Sequence, residues 1–584
     1  MAQVIARTLV LASLVWCTPG VAAAQSGAPG ASQAHGTSDA WVQFADSEAQ
    51  RGNVPAAIEA LEKAVLASPA NASLYARLSQ AYASAGYAKA ALRAIEGALA
   101  LKPSEPDYLR ARATLATWAG DYSGARNSYR QLQAMTAGDP EIALGMARVS
   151  AWSGDTNEAV KQYKGYLAGN QSNLAVWLEL AKTESWRGNS GGALAAIEAY
   201  KSHGGETDRY LAETAAVLAS AGRPGKAVEL IDGLLAHAPA SYDLNLTRAI
   251  ALASQERPKA ARESLDVMRQ LAPDRPETRT TERMLRALLS SSAEAPFTIY
   301  SDSDNLTVQR FVPRAVVGLG DGTQLLAGYE RSRLEARANS GLEGLAGQTR
   351  AQYDHMWAGV AQRFGAITLN GQAGYATSGG HRTTTYGIGL VARPADSIRF
   401  TLSRASAPLV VSPRTLGLGL VAVAHRAQAD WTPTLHTHIV FDGSFQELSD
   451  GNRRWEVTFA PRQTVARLAG FNLDLGASVY RLETSRDLDH GYYDPRRYEY
   501  YAASIFPYLK VRENVGLGVT AALGVQRDNT SPSFHFGGNV GAEATFGIYQ
   551  PWVVKLNGSA TLNGRLDSGA FHGFGAGAAL VRRF

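Results

Sequence analysis

Four short stretches of the 584-residue chain bring together residue types capable of chemistry. Gly188-Asn189-Ser190-Gly191-Gly192 has the G-x-S-x-G spacing that presents a serine nucleophile on a sharp strand-to-helix turn. No strand pattern precedes it, and Gly188 is one of a series of evenly spaced glycines, so it reads as a turn between helices. His436-Thr437-His438 puts two imidazoles on one strand face, with Asp442 further along it. These are common metal ligands, but a metal site needs convergent ligands and supporting bonds, and a polar wall is the preferred reading. Gly318-Leu319-Gly320-Asp321-Gly322 is a glycine-rich turn with no helix after it, hence no phosphate loop. In Gly491-Tyr492-Tyr493-Asp494-Pro495-Arg496-Arg497-Tyr498, the aromatic rings would stack on sugars while Asp and Arg bond hydroxyls or charged substituents. The equally weighted alternative is an interfacial aromatic girdle, with Asp-Pro opening a turn. No catalytic constellation emerges, and neither a cofactor nor a resident metal is expected.

The elements that position these stretches are of two kinds. In the N-terminal half the text repeats every 34 residues: Gly52, Gly86, Gly120, Gly154, Gly188 and Gly222 recur, and only Glu256 breaks the series. Five residues after each comes an alanine, at 57, 91, 125, 159, 193, 227 and 261. Four further on stands a large apolar residue: Leu61, Ile95, Tyr129, Tyr163, Ile197, Ile231 or Leu265. Glycine permits the tight turn between two antiparallel helices. Alanine lets those helices approach, and the residue one turn later fills the space on the same face. Proline at 69, 103, 239 and 273 stops the second helix. The pattern resembles the tetratricopeptide repeat, in about seven units over 38–289, and implies a stacked superhelix with a binding groove.

From Pro296 the period drops to two. Val515, Leu517, Val519, Ala521, Leu523 and Val525 alternate with small or polar residues. Trp552, Val554, Leu556, Ala560 and Leu562 oppose Lys555, Asn557, Thr561, Asn563 and Arg565. Segments of about ten residues, apolar outside and polar inside, are the text of a lipid-embedded barrel strand. About 16 such segments fit between 297 and 584, at roughly 9–11 residues per strand plus turns. Short connectors (GDG, PADS, TPT, REN, YQP) alternate with longer ones at 339–349, 405–415 and 485–495, as turns and loops do at the two ends of such barrels. The expected lumen is lined by His436, His438, Asp442, Arg454, Glu456, Asn472, Asp474, Lys555, Asn557, Thr561, Asn563 and Arg565. Arg331, Arg333 and Arg337 share one face, a slight cationic bias.

Residues 1–24 read as a signal peptide, apolar but too short to span a bilayer and ending in Ala22-Ala23-Ala24. Residues 25–37 read as a disordered leader and 290–296 as a linker. The single cysteine, Cys17, lies inside the signal, and Trp16 before it argues against lipidation. A mature chain without cysteine excludes disulfides, thiolate catalysis and cysteine-ligated zinc. The barrel half carries 28 Lys and Arg against 23 Asp and Glu, which accounts for the net +5 of the whole chain. So mild a balance argues against nucleic acid as a partner. The fold class expected is α plus β: an all-α repeat solenoid, then a transmembrane antiparallel barrel.

A tetratricopeptide arm followed by such a barrel resembles the outer-membrane exopolysaccharide exporters, the cellulose and poly-N-acetylglucosamine export porins. The 491–498 segment is similar to the aromatic–proline segments of those barrels, and the terminal Phe584 resembles the signature of assembled outer-membrane proteins. The resemblance implies an outer-membrane location with the repeats in the periplasm. It also implies a polysaccharide chain in the lumen, and synthesis or modification proteins of the periplasm or inner membrane on the repeats. A second resemblance, to the surface lipoprotein assembly modulators, implies a protein client in the groove and 14 strands. A third reading is a structural anchor or phage receptor with a plugged pore.

Overall fold

The structure, a computed structural model, describes residues 37–584 apart from 137, 321, 435, 469, 530–531 and 564–570. The signal peptide, nearly all of the leader, and Arg565 lie outside the described residues. The chain divides into two compact units, Met1–Tyr210 and Leu211–Phe584.

Among the described residues fifteen helices follow the 34-residue repeat. They are α1 (Ser38–Gln50), α2 (Val54–Ala67), α3 (Ala72–Ser84), α4 (Ala88–Leu101), α5 (Pro106–Ala119), α6 (Tyr122–Met135), α7 (Pro140–Ser153), α8 (Thr156–Gly169), α9 (Leu174–Trp186), α10 (Ser190–Ser202), α11 (Thr207–Ser220), α12 (Pro224–Leu235), α13 (Tyr242–Ser254), α14 (Pro258–Leu271) and α15 (Pro276–Leu289). They make seven hairpins plus one extra helix, α15, which buries Met284 and Leu285 at the end of the series. Each repeat glycine turns in the left-handed region, from φ +69° at Gly222 to +91° at Gly154. Glu256 holds the same conformation at φ +58°, so the break in the glycine series is a change of residue and not of backbone. The seven repeat alanines are all buried, six of them completely. Ala159→Leu is therefore expected to cost about 1–3 kcal/mol by overpacking. Urea unfolding followed by helical circular dichroism would read this as a lower midpoint. Ser190 is the first residue of α10, and the Asn189 side chain caps that helix by accepting from the Gly192 N–H at 3.1 Å. The serine-hydrolase spacing is thus a helix cap.

The barrel contains β1 (Ser292–Asp302), β2 (Leu306–Phe311), β3 (Arg314–Gly318), β4 (Thr323–Ala336), β5 (Arg350–Phe364), β6 (Ile367–Ser378), β7 (His381–Ala395), β8 (Ile398–Pro408), β9 (Val421–Trp431), β10 (Thr437–Leu448), β11 (Arg453–Leu468), β12 (Phe471–Thr484), β13 (Tyr498–Arg512), β14 (Val515–Asp528), β15 (His535–Phe546), β16 (Trp552–Asn563) and β17 (Phe571–Arg583). Pro313, lacking an N–H, stands in the gap between β2 and β3. Both pair with β1 and with β4, so together they form one stave and the barrel has 16. Every neighbouring pair is antiparallel, and β17 returns to β1 from Ser292↔Arg583 to Asp302↔Gly573, which closes the sheet. Closure leaves no backbone edge to face lipid. β1 begins at Ser292, so pairing has already started within the span read as linker.

Large apolar side chains on alternate positions form an exposed outer belt, with Val360, Ile388, Val457, Leu523 and Trp552 among them. Among the described residues no helix is long and apolar enough to cross a membrane; the barrel supplies the apolar surface. All three connectors expected to be long leave the same end of the barrel. Three further connectors there are short: 303–305, 379–380 and 449–452. Turns at the opposite end are short throughout.

Candidate functional site: a polar lumen between two bridged ends

Strand alternation fixes what faces inward. On β16, Trp552, Val554, Leu556 and Leu562 are exposed on the outer belt. Lys555, Asn557, Thr561 and Asn563 therefore project inside, opposite Thr545, Glu543, Asn539 and Gly537 of β15. The same register turns Asn472 and Asp474 of β12 inward, where the amide donates to the carboxylate at 2.8 Å. His438, Asp442, Arg454 and Glu456 face inward from β10 and β11. His436 lies in the turn before β10 and not on its face.

Several charges of this wall are paired with one another. Asp442 accepts from Arg426 at 2.7 Å, and Arg454 reaches Glu456 at 2.6 Å while the Tyr480 hydroxyl donates to the same carboxylate at 3.0 Å. Arg310 meets Glu330 at 3.2 Å, and Arg314 pairs with Glu294. His438 stands 3.6 Å from Asp430. Among the described residues no three His, Asp or Glu converge as metal ligands. Hydroxyls and amides are left for whatever occupies the lumen.

Three loops meet over one end. The loop 409–420 contains a short helix, α16 (Pro413–Gly417), closed by a Ser412/Thr415 capping box. Its Leu416 is buried against Leu334, Tyr353 and Ala376, inward-facing residues of β4, β5 and β6. The Arg414 N–H donates to Leu342 O at 3.0 Å, and its guanidinium donates to Asp489 O at 2.8 Å. Leu342 belongs to the β4–β5 loop and Asp489 to the β12–β13 loop, on opposite sides of a 16-stave ring. These contacts therefore cross the mouth. Gly491 is required here: its φ is +80°, and a Cβ would come within 2.6 Å of Arg414.

That bridge divides the 492–498 segment. Tyr492 and Asp494 are buried within a loop knot, not open to a polymer. The Asn452 amide donates to the Tyr492 hydroxyl at 2.9 Å, Tyr492 donates to Asp450 at 2.9 Å, and the Leu488 N–H donates to Asp494 at 2.7 Å. Burial pushes the Asp494 pKa up. Burial acts the same way on Asp450, but bonds from His490, Asn452 and Tyr492 outweigh it and hold that carboxyl below its ordinary value. Tyr493 is exposed and donates to Asp528 at 2.7 Å. Arg496 donates to Ser485 O, and Arg497 pairs outward with Glu499 at 2.8 Å. Only Tyr498 faces the lumen, donating to Gln526 at 2.6 Å. The segment is chiefly a loop anchor.

At the opposite end the last repeats touch the barrel turns. Asp396, in the β7–β8 turn, accepts from the Gly225 N–H at 2.8 Å and the Lys226 N–H at 3.3 Å. A barrel carboxylate thus caps α12, whose own N-cap, Arg223, supplies no side-chain cap. Gly225 permits the approach, since a Cβ there would lie 2.9 Å from Asp396. Arg223 donates to Thr432 O at 2.7 Å and Pro433 O at 3.1 Å. Arg363 donates to Gln255 O, and Arg393 pairs with Glu256 at 3.1 Å. Left-handed backbone at a non-glycine costs about 1–2 kcal/mol, and at Glu256 the strained residue is the one that meets the barrel. A cavity of about 160 Å³ opens between the Gly222 turn and His436, His438, Arg462 and Asp474.

Two features depart from the sequence reading. Arg331 and Arg333 point outward with Leu325, above the apolar belt, and Arg331 pairs with Asp354 at 2.7 Å. Arg337 lies beyond the strand. They give the lumen no cationic bias. The second feature lies outside that reading: Trp118, Trp152 and Trp186 recur at the 34-residue interval, at the same position near the ends of α5, α7 and α9. Trp118 is exposed, and Trp152 and Trp186 are partly so. The 34-residue period that carries the glycines carries this signal too.

The geometry defines a membrane-spanning barrel of 16 staves preceded by tetratricopeptide repeats. The tetratricopeptide repeat family matches residues 42–106 and 213–276. No curated protein matches the chain. Among solved structures, it is similar to a "bacterial polysaccharide outer membrane secretin" at 14% identity and TM-score 0.43, over 50% of this chain and 98% of that one. It is also similar to a tetratricopeptide repeat protein from Parabacteroides merdae at 18% identity and TM-score 0.38, over 42% of this chain and 98% of that one. A third likeness is to PilW, a type IV pilus biogenesis factor, at 21% identity and TM-score 0.31, over 35% and 96%.

Proposed function

We propose that the chain is an outer-membrane export porin for an exopolysaccharide, a conduit and not an enzyme, with its repeats in the periplasm as a scaffold for polymer and partners. The observation that carries this reading is the lumen wall, where Arg426–Asp442, Arg454–Glu456, Arg310–Glu330 and Arg314–Glu294 pair within the wall and Asn557, Thr561 and Asn563 add amides and a hydroxyl to it. Such groups exchange hydrogen bonds with a sliding sugar chain without gripping it, whereas an unpaired charge would hold a counter-charge in place. The turn-end contacts support the same reading, because the Gly222 turn of the repeats opens on the cavity beside His438 and Asp474. The stave number favours the exporters over the 14-stranded assembly factors.

The three tryptophans supply the polymer track. Aromatic faces stack on apolar sugar faces, at about 0.5–1.5 kcal/mol per ring by analogy with aromatic pairs. In a strain carrying Trp118→Ala, Trp152→Ala and Trp186→Ala together, secreted polymer is expected to fall severalfold while barrel abundance in the outer membrane is unchanged. Unchanged polymer with a surface protein missing from the proteome would move the function to the protein-assembly class.

A further inference from the structure

On the outside of the barrel, toward the loop end, a row of directly paired residues runs across five strands: Ile388, Arg404, His425, Phe445 and Trp455. All five belong to the lipid-facing set, since Ile388 and Trp455 are exposed and pairing registers carry the same face from strand to strand. The rings form a continuous wall. His425 stacks on Phe445 at 6.1 Å between centroids, and Phe445 meets Trp455 in a tilted pair at 4.1 Å.

Toward the turn end the same surface sinks into a groove of about 850 Å³, walled by Leu369, Leu390, Leu402 and Val457. The groove exists because Ala427 and Gly443, paired with each other and flanked by Leu402 and Val457, have too little side chain to fill the belt. Arg404 overhangs it. The outward arginines Arg331, Arg481 and Arg497 pair with Asp354, Glu483 and Glu499, but Arg404 has no carboxylate partner among the described residues. An unpaired guanidinium on a lipid-facing surface is costly unless it reaches a polar or anionic group at the interface.

We propose that this groove is a binding site for a phosphate-bearing, acylated lipid of the leaflet at the loop end. The Arg404 fork takes the phosphate in a bidentate pair, the geometry at which arginine excels over lysine. His425, held flat against Phe445, offers a second donor, and an acyl chain lies along Leu390, Leu402 and Ala427. Charge complementarity selects this occupant: the site offers one free cation at the head of an otherwise apolar furrow.

The test uses the full chain, purified in a neutral detergent and titrated with phosphatidic acid or phosphatidylcholine of the same acyl composition, with bound lipid counted by native mass spectrometry. The wild type is expected to retain one phosphatidic acid at roughly tenfold lower lipid concentration than phosphatidylcholine, about the worth of one charge-assisted pair. Arg404→Gln with His425→Gln is expected to erase that preference, Arg404→Lys to keep part of it, and Ala427→Leu to abolish retention of both lipids. The heat-dependent gel shift of a folded barrel shows in each case that the variant is intact. Equal retention of the two lipids by the wild type, or an unchanged preference in the Arg404→Gln, His425→Gln variant, would overturn the site. So would a second copy of the chain covering the groove, seen as a disulfide-linked dimer of the Ala427→Cys variant.

Discussion

Deleting residues 411–418 is expected to turn the reconstituted barrel from a nearly closed pore into an open one. Sixteen strands enclose enough space for an aqueous channel, so what limits conduction is the bridge of loops and not the ring. α16 is the keystone. Leu416 is anchored on one wall, Arg414 reaches the loop of the opposite wall, and the His381 ring bonds Gly417 O at 3.0 Å. Planar-bilayer recordings of the full chain should show small, rare currents, and those of the deletion large, steady ones. Arg414→Ala should give intermediate, flickering currents, because it removes the guanidinium bond to Asp489 and leaves the backbone bond to Leu342 and the Leu416 anchor. High conductance in the wild type would mean that the loops do not obstruct the pore. A deletion that stays closed would place the obstruction deeper, as the plugged-receptor reading requires.

The second large effect is expected at the turn end. Asp396→Ala with Arg223→Ala removes the cap of α12 and the bonds to Thr432 and Pro433. A helix cap is worth about 1 kcal/mol, and hydrogen bonds to a charged group about 1.5–3 kcal/mol. The sum is enough to detach these repeats locally without touching the barrel. Hydrogen exchange should show the amides at the start of α12 losing protection while β7, β8 and β9 keep theirs. Secreted polymer should fall with the barrel still inserted. Unchanged protection would mean that α12 is held by its neighbouring helices alone, and the contacts at Asp396 are incidental.

What the sequence revealed follows from the range of each interaction. The glycine–alanine–apolar rhythm is local, so the repeats were legible to the residue, and Glu256 kept the turn that its neighbours in the series make with glycine. Strand alternation is also local, and it sets Lys555, Asn557, Asn472 and Asp474 on the face opposite the exposed apolar residues of their strands. Its blind spot is the part of a strand that rises beyond the lipid. At Arg331 both faces are polar, so alternation separates the faces without saying which is inside. The Asp396 cap joins residues 171 positions apart, and no period announces it. The same is true of Leu416, whose partners lie on three other strands. Tyr492 and Asp494 looked like a sugar site because buried loop anchors and sugar sites draw on the same residues.

Polysaccharide export itself is tested most directly by measuring extracellular and periplasmic polysaccharide in a strain lacking this gene, with the wild-type gene restored as control. Export predicts polymer lost outside and accumulating in the periplasm, both reversed on restoration. Polymer unchanged in both compartments would contradict it.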